Sequence, residues 1–399
     1  MATPSLAMIP SGYKATKVYS VLPTDGAGDL TFSRTDGAGN GSATRVNESG
    51  LIELMGENVP RLDYTGGGCP SLLLEPQSTN LITYSEDFSN AAWGKTNGGV
   101  SLSPVLTSNY SVSPDGTINA DRLIFDLNGG TTSSDLSQLQ SSNFVMDDDY
   151  SNSIWLKSNT ASSYVMSYLK PNGSATTITV TTEWQRFESS STVSATTVPI
   201  RLRLRGGSES TDVYADISVY GAQLEQQSYA TSYIPTAGAT VSRIADSAYK
   251  TGLSSYINSS EGVLYAEIAA LSNDLTNRLI SLSDASSDNR VELWLDSTSN
   301  QIRVRTEVNN GTSIDITSVL TDSTTINKLA VRWDATSISL FINGLLIQTK
   351  TSTQFNADVL DKLAFSNHSG GFPFYGKTKD LRVYKTELTD AELTTLTTL

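Results

Sequence analysis

Between residues 94 and 225 turn-forming clusters interrupt the chain at short intervals: Asn97-Gly98-Gly99, Pro114-Asp115-Gly116, Asn128-Gly129-Gly130, Pro171-Asn172-Gly173 and Gly206-Gly207. Glycine and asparagine accept the backbone angles of tight turns, and proline presets one of them. The stretches between are short, and several alternate apolar with polar residues, as in SIWLKS, SYVMSYLK and PIRLRLRGG. Alternation with a period of two is the pattern of a strand with one buried face. Strands of this kind, spaced by turns, predict an antiparallel double sheet. Composition agrees, since Ser, Thr, Gly and Asn are abundant and charged residues make up only 17%. The predicted class is all-β, with two antiparallel β-sandwiches behind a glycine-rich N-terminal region.

The 399 residues leave room for two or three domains. Residues 1–68 carry an identical TDGAG pentapeptide at 24–28 and 35–39 and only scattered apolar groups, such as Val18, Tyr19, Val21, Leu22, Leu51, Ile52 and Leu54. Such a stretch has too little apolar density for a core of its own. It reads as an attachment arm ordered by a partner, or as an irregular lead-in folded onto the next domain. The run CPSLLLEP closes it, and Pro76 sets an extended exit. The first sandwich is predicted over 69–235, a linker or strap over 236–255, and a second sandwich over 256–399. In the second, Asn343-Gly344 between two apolar runs is a strong hairpin signal. The tail LTDAELTTLTTL predicts one short helix, with Thr389 and Glu392 forming a capping box.

A net charge of −14 opposes nonspecific nucleic-acid binding, for which a basic stripe is expected. The single cysteine, Cys69, has no partner for an internal disulfide. The N-terminal MATPSLAMIPSGYKATK has no apolar stretch of signal-peptide length, and no segment approaches a membrane span, so folding in a cytosol and no membrane insertion are expected.

Two long segments carry a resemblance. TFSR…SATRVNESGLIE…NVPRLDY…CPSLLLEPQSTNLITYSEDFSNAAW and GAQLEQQSYATSYIPTAGATVSR closely resemble segments common in structural proteins of tailed bacteriophages. The region they enclose is similar to jelly-roll carbohydrate-binding modules. The run AVRWDATSISLFINGLLI with the closing FYGKTKDLRVYKTELTDAEL resembles a laminin-G or concanavalin A-like domain. The insertion TDGAGNG at 35–41 departs from the phage pattern. The resemblance implies a virion appendage exposed on the particle, contacting other virion proteins through its N-terminal region and adhering to host or environmental glycans. A purely architectural head, collar or tail protein is the alternative. Appendages of this sort are commonly homotrimers, and no heptad pattern exists here to build a coiled coil.

Concanavalin-like sandwiches also host glycoside hydrolases, so catalytic groups matter. In VELWLD, Glu292, Trp294 and Asp296 share one strand face. Carboxylates four strand positions apart lie roughly 13 Å apart along the backbone, wider than the about 5 to 9.5 Å that glycosidase pairs need. The lone histidine, His368, sits in the loop SNHSGG with no serine elbow nearby. Catalysis is not expected. Asp147, Asp148 and Asp149 supply the hard oxygens that Ca2+ takes, although acidic turns more often serve their own backbone. No other cofactor is indicated. For binding, alternation places Trp155 and Lys157 opposite Ile154 and Leu156, and Tyr164 and Tyr168 opposite Val165 and Leu169. It also sets Arg201, Arg203 and Arg205 against Leu202 and Leu204. The expected glycan platform comprises Trp155, Tyr164, Tyr168, Arg203 and Trp294, with the arginines suited to an anionic sugar.

Overall fold

A computed structural model of the chain describes residues 2–10, 12–35, 42–207, 209–311 and 313–399. It is almost entirely β and divides into two compact units, one of residues 1–40, 55–76 and 244–399 and the other of 41–54 and 77–243.

The first unit holds two large antiparallel sheets. Eight strands form one, in the order Leu345–Thr351, Ser337–Ile342, Asn327–Trp333, Gly262–Ala270, Gly376–Tyr384, Ser71–Leu74 and Arg61–Asp63, with Leu6–Met8 also pairing to Gly376–Tyr384. Nine form the other among the described residues, running from Tyr13–Lys14 through Lys17–Val18, Leu30–Ser33, Ser247–Lys250, Lys362–Ala364, Arg278–Ser283 and Arg290–Leu295 to Gln301–Glu307 and Ile314–Val319. Alternation does the sorting: along Gln301–Glu307 the side chains of Ile302 and Val304 are buried while those of Arg303 and Arg305 are not. Asn343 and Gly344 both take positive φ, 48° and 86°, the conformation of a two-residue hairpin turn. The helix Asp390–Thr397 begins with the expected capping box, and Leu388 and Leu393 pack with Tyr265 and Phe341.

The N-terminal residues are part of this unit. Leu6, Met8, Val18, Leu30, Phe32, Leu62, Leu72 and Leu74 are buried in one core with Leu264, Ile280, Leu293, Trp333, Leu340 and Val383. The apolar groups that could not make a core alone complete a core supplied from residues beyond 244. An independent arm over 1–68 is thereby corrected. The run SLLL becomes the buried strand Ser71–Leu74, joined to Arg61–Asp63 on one side and Gly376–Thr378 on the other. The expected linker 236–255 is also structured: Val241–Arg243 pairs with Ser78–Asn80, and Ser247–Lys250 with Leu30–Ser33 and Lys362–Ala364. The segment 36–41, which contains most of the second pentapeptide and of the insertion, lies outside the described residues.

Buried charge accompanies this interleaving. Arg61 is fully buried and donates to the carboxylates of Glu75 and Asp246. Arg34 donates to the other oxygen of Asp246 at 3.0 Å and to the carbonyls of Gly56 and Val59. Burial pulls the Arg61 pKa down, and the two carboxylates outweigh it and hold it above the ordinary value.

The second unit is a sandwich of two five-stranded antiparallel sheets. One has the order Trp93–Gly98, Leu136–Ser141, Arg201–Arg205, Ser163–Leu169, Ala175–Thr181; the other Leu102–Val112, Ile118–Asp126, Tyr214–Glu225, Asp149–Ser158, Gln185–Thr192. Its core gathers Leu123, Phe125, Ile154, Leu156, Tyr164, Met166, Tyr168, Leu202, Leu204, Ile217 and Val219.

The buried position of Phe32 gives a direct check. Phe32→Ala should destabilise the first unit by about 3–5 kcal/mol, against about 0.5 kcal/mol or less for a residue on a solvated arm. Denaturant unfolding of the full chain reads the difference.

Candidate functional site

The outer face of the sheet containing Asp149–Ser158 and Tyr214–Glu225 is where aromatic and acidic groups of the second unit collect. Ile154 and Leu156 enter the core, so Trp155 points out. It pairs across the strands with Tyr220, beside a register shift where Tyr214–Glu225 carries an extra residue. At that bulge Gly221 has φ +63°, and a Cβ there would lie 2.9 Å from Cε3 of Trp155. Glycine lets the indole settle against the backbone. Trp155 meets Tyr233 edge-on at 5.4 Å and Tyr220 at 6.2 Å between centroids, and the Arg186 guanidinium covers its ring at 4.5 Å. Trp184 stands half-buried nearby, its Nε1 donating to the Val112 carbonyl at 3.0 Å.

A hairpin of Ala43–Val46 and Ile52–Met55 reaches over this face, its Ile52 N–H bonding the Pro114 carbonyl and Ile52 packing in the aromatic cluster. Two cavities open beside it. One of about 380 Å³ is lined by Trp155, Lys157, Trp184, Leu51, Ile52 and Pro114 among others. The second, about 460 Å³, has Tyr220, Tyr233, Glu86, Asp115, Ile52 and Leu54 in its wall.

The second cavity is chemically unusual. Tyr220 Oη lies 3.1 Å from Glu86 Oε1 and 3.2 Å from Asp115 Oδ2, so one phenolic proton is offered to two carboxyl groups. Tyr233 Oη also reaches Glu86 Oε1, at 2.9 Å, and Asn119 Nδ2 lies 3.0 Å from Asp115 and 3.4 Å from Glu86. Burial pushes the Glu86 carboxyl above its ordinary pKa, and the bonds from the two phenols only partly offset this. Burial also acts on Asp115, but hydrogen bonds from Ser113, Thr117 and Asn119 outweigh it and hold that carboxyl below its ordinary value. Two carboxyls side by side are thus pushed in opposite directions.

The other expected site residues fall elsewhere. Tyr164 and Tyr168 belong to the opposite sheet and face the core, Tyr168 with no exposure at all, so neither offers a ring to a ligand. The alternation was read correctly, but the tyrosine side of the strand is the inner one. Arg203 is buried and bonded through Nε and Nη2 to Glu209, which also takes Arg205; its charge is already neutralised within the fold. In the first unit, Glu292, Trp294 and Asp296 do share a face. Trp294 is 6% exposed, lies against Phe372 at 5.5 Å and under Arg303 at 4.4 Å, and donates to Glu292. Asp296 is paired with Arg303 at 3.0 Å. His368 sits near Arg290 and Lys362; burial and these two cations lower its pKa. Asp148 and Asp149 bond within their own turn and to Gln226 and Thr192. Among the described residues no three His, Cys, Asp or Glu side chains are gathered to hold a metal ion, and no helix is long and apolar enough to cross a membrane.

Nothing in the sequence marks Trp184, Tyr220, Tyr233, Glu86 or Asp115 as residues of one site. Only the register of SIWLKS against DVYADISVYGAQLE links Tyr220 to Trp155, and nothing local links Tyr233 to them or Glu86 to Asp115.

Residues 245–394 match Laminin_G_3, the concanavalin A-like lectin/glucanases superfamily. Among solved structures, the chain is similar to the CBM40 module of Ruminococcus gnavus IT-sialidase bound to alpha2,3 sialyllactose, with 19% identity over 35% of this chain and 83% of that one, at a TM-score of 0.31. Domain 4 of AbnA, a GH43 extracellular arabinanase from Geobacillus stearothermophilus, in complex with arabinotriose, is 14% identical over 40% and 77%, at 0.32. The heptameric SAP-like pentraxin of Limulus polyphemus is 12% identical over 36% and 71%, at 0.30. Likeness of that extent defines neither a ligand nor an assembly for this chain. No curated protein sequence matches it.

The raised Glu86 carboxyl gives a pH signature. A group that binds its proton more tightly when folded adds stability below its unfolded pKa and loses that contribution as pH rises through the folded value. Glu86→Gln, with no charge to bury, should therefore gain in melting temperature relative to the parent as pH rises from 4 to 8. A difference that is flat across this range would show that Glu86 titrates as it does in the unfolded chain.

Proposed function

We propose that the protein is a glycan-binding adhesion protein and that the second unit holds the sugar on the outer face of its Asp149–Ser158 sheet. The observation that supports this most directly is the pair of open cavities walled by Trp155, Trp184, Tyr220 and Tyr233 and edged with carboxyl, amine and phenol groups. Aromatic faces stack on the C–H surfaces of sugar rings, and a few placed polar groups orient the hydroxyls. The match of residues 245–394 to the concanavalin A-like lectin/glucanases superfamily supports the same reading. A glycan array with the full chain tests the reading. Trp184→Ala should weaken the strongest hits about tenfold while moving the melting temperature little. Trp155→Ala should cost both binding and stability, because its ring also closes the aromatic cluster. An array without hits would reject the function.

We further propose that the protein is displayed on the exterior of a tailed-phage particle. The two long segments that resemble phage structural proteins support this. Because the N-terminal residues are built into a folded unit, attachment runs through a surface of that unit and not through a loose arm. A purely architectural role is favoured by one observation: the edge strand Leu345–Thr351 leaves Leu345 at 67% exposure and Leu346 at 44%. Immunogold labelling of particles, with and without glycan competitor, separates adhesion from architecture. A homotrimer is expected, since avidity makes weak sugar sites useful. Light scattering at working concentration should return the mass of three chains, and a stable monomer would refute it.

A further inference from the structure

The 380 Å³ cavity has no acidic side chain in its wall. Two indoles, Trp155 and Trp184, stand there with Leu51, Ile52 and Val112, and the one charged group among them is Lys157. Leu51 and Val112 keep apolar surface open to solvent, 36% and 51% exposed. A wall of this kind suits the C–H face of a sugar ring. What it leaves unmatched is donors. The Trp184 N–H is taken by the Val112 carbonyl, and the Ser113 hydroxyl donates to Asp115 at 2.6 Å. Among the described residues, the Lys157 ammonium has neither a hydrogen bond nor an ion pair, and the Trp155 N–H has no acceptor. The arginines of the same sheet face are committed: Arg122 holds both oxygens of Asp216, and Arg186 reaches Glu188 at 2.9 Å. The Trp155 ring is also fixed in direction. A Cβ at Gly221 would meet its Cε3 and Cζ3, so this edge lies on the bulge and the Nε1 edge, across the indole, points away from it. Lys157 follows Trp155 by two positions on one strand face, about 6.7 Å along the strand, so a ring lying on the indoles has its substituents within reach of the ammonium.

We propose that this cavity binds a carboxylated sugar, its ring against the indoles and its carboxylate on Lys157 Nζ with the Trp155 N–H as second donor, so that the preferred glycans are acidic. This rests on the glycan-binding reading and deepens it by naming the class of sugar. A carboxylate brings the acceptors and the negative charge that the wall lacks, and a hydrogen bond between charged partners is about twice as strong as one between neutral groups. A neutral sugar offers the ammonium only hydroxyls, in exchange for the water it already has. The cation for an acidic sugar is thus Lys157 and not Arg203, whose guanidinium is held by Glu209 at 2.6 Å. The net charge of −14 opposes an acidic glycan at a distance. Screening over about 8 Å at physiological ionic strength confines that repulsion and leaves the contact to the local ammonium. A hexuronate carries its carboxylate on C5 and a sialic acid on the anomeric carbon, and the cavity's chemistry is common to both.

The test is calorimetry on the full chain, at one ionic strength, with oligosaccharides of equal length: galacturonate, galactose and sialylated galactose oligomers. At least one carboxylated oligomer should bind about tenfold more tightly than the galactose oligomer, and the tighter of the two names the source of the carboxylate. Lys157→Met, which keeps the length of the stem and removes the charge, should lower that preference about tenfold, and Lys157→Arg should retain most of it. A merely structural role for Lys157 would weaken all three oligomers together and leave their ratio unchanged. If Lys157→Met misfolds, the comparison of the three oligomers on the unaltered protein still decides. Equal binding of the charged and neutral oligomers, or an unchanged preference in Lys157→Met, would overturn the proposal. In that case any binding still sensitive to Trp184→Ala would leave glycan adhesion standing. Failure of all three sugars together with an array without hits would remove both.

Discussion

Arg61 is the residue on which the first unit turns. Its guanidinium is fully buried and joins Glu75 to Asp246, and Asp246 also receives Arg34 and the Glu75 N–H. Two guanidiniums thus meet two carboxylates. Each ion on its own would cost several kcal/mol to bury, and removing one partner from such a set typically costs about 3–5 kcal/mol. The members are scattered at 34, 61, 75 and 246, each close in sequence to a boundary at 40, 55, 76 or 244 where the chain passes between the two units. Whatever else the charges contribute, they specify which segments of a long, strand-rich chain must meet. In a chain of many similar short strands, that specification guards against mispairing.

The second unit depends on a different constraint, a bulge. Ladder pairing sends Ile217 and Val219 inward. The extra residue near Gly221 then lets Tyr220 and Trp155 lie together on the outside while Ala222 and Leu224 return to the core. Because the Trp155 ring rests against a glycine, is edged by two tyrosines and is covered by Arg186, it has little freedom to reorient. The same tyrosines set the chemistry next door, since their hydroxyls are the donors that the Glu86 and Asp115 carboxyls share. Platform and acidic cavity are two consequences of one cluster.

Residues 245–394 and the cavity-bearing sandwich carry their polar groups differently. On the outer face around Trp294, each charge has an opposite neighbour: Glu292 beside Arg290, Asp296 with Arg303, Arg305 with Asp315. Such a ladder keeps an exposed sheet face soluble and specific in register. Around Glu86 the partners are two phenols and an amide in place of cations.

Much of the fold was legible in the sequence because it is set locally. Turn residues and period-two alternation mark the strands of both sandwiches, the Asn343-Gly344 hairpin follows from its two left-handed residues, and the Thr389–Glu392 box starts the helix. Alternation also divided each strand into two faces correctly. It could not say which face is inner, and this misplaced Tyr164 and Tyr168, whose side of the strand meets the opposing sheet. Nor could it show that Arg203 already has a partner in Glu209. The sparse apolar groups of the leading residues fit either an arm or a lead-in folded onto a domain; they are buried because strands from beyond 244 provide the remainder of the core. The acidic cavity was invisible for the same reason. Glu86, Asp115, Tyr220 and Tyr233 come from four separate segments, and only tertiary packing, by placing them around a single phenolic proton, turned ordinary residues into a site. The sequence by itself determined what each strand is; long-range burial and charge pairing decided which strands meet and which faces are left to bind.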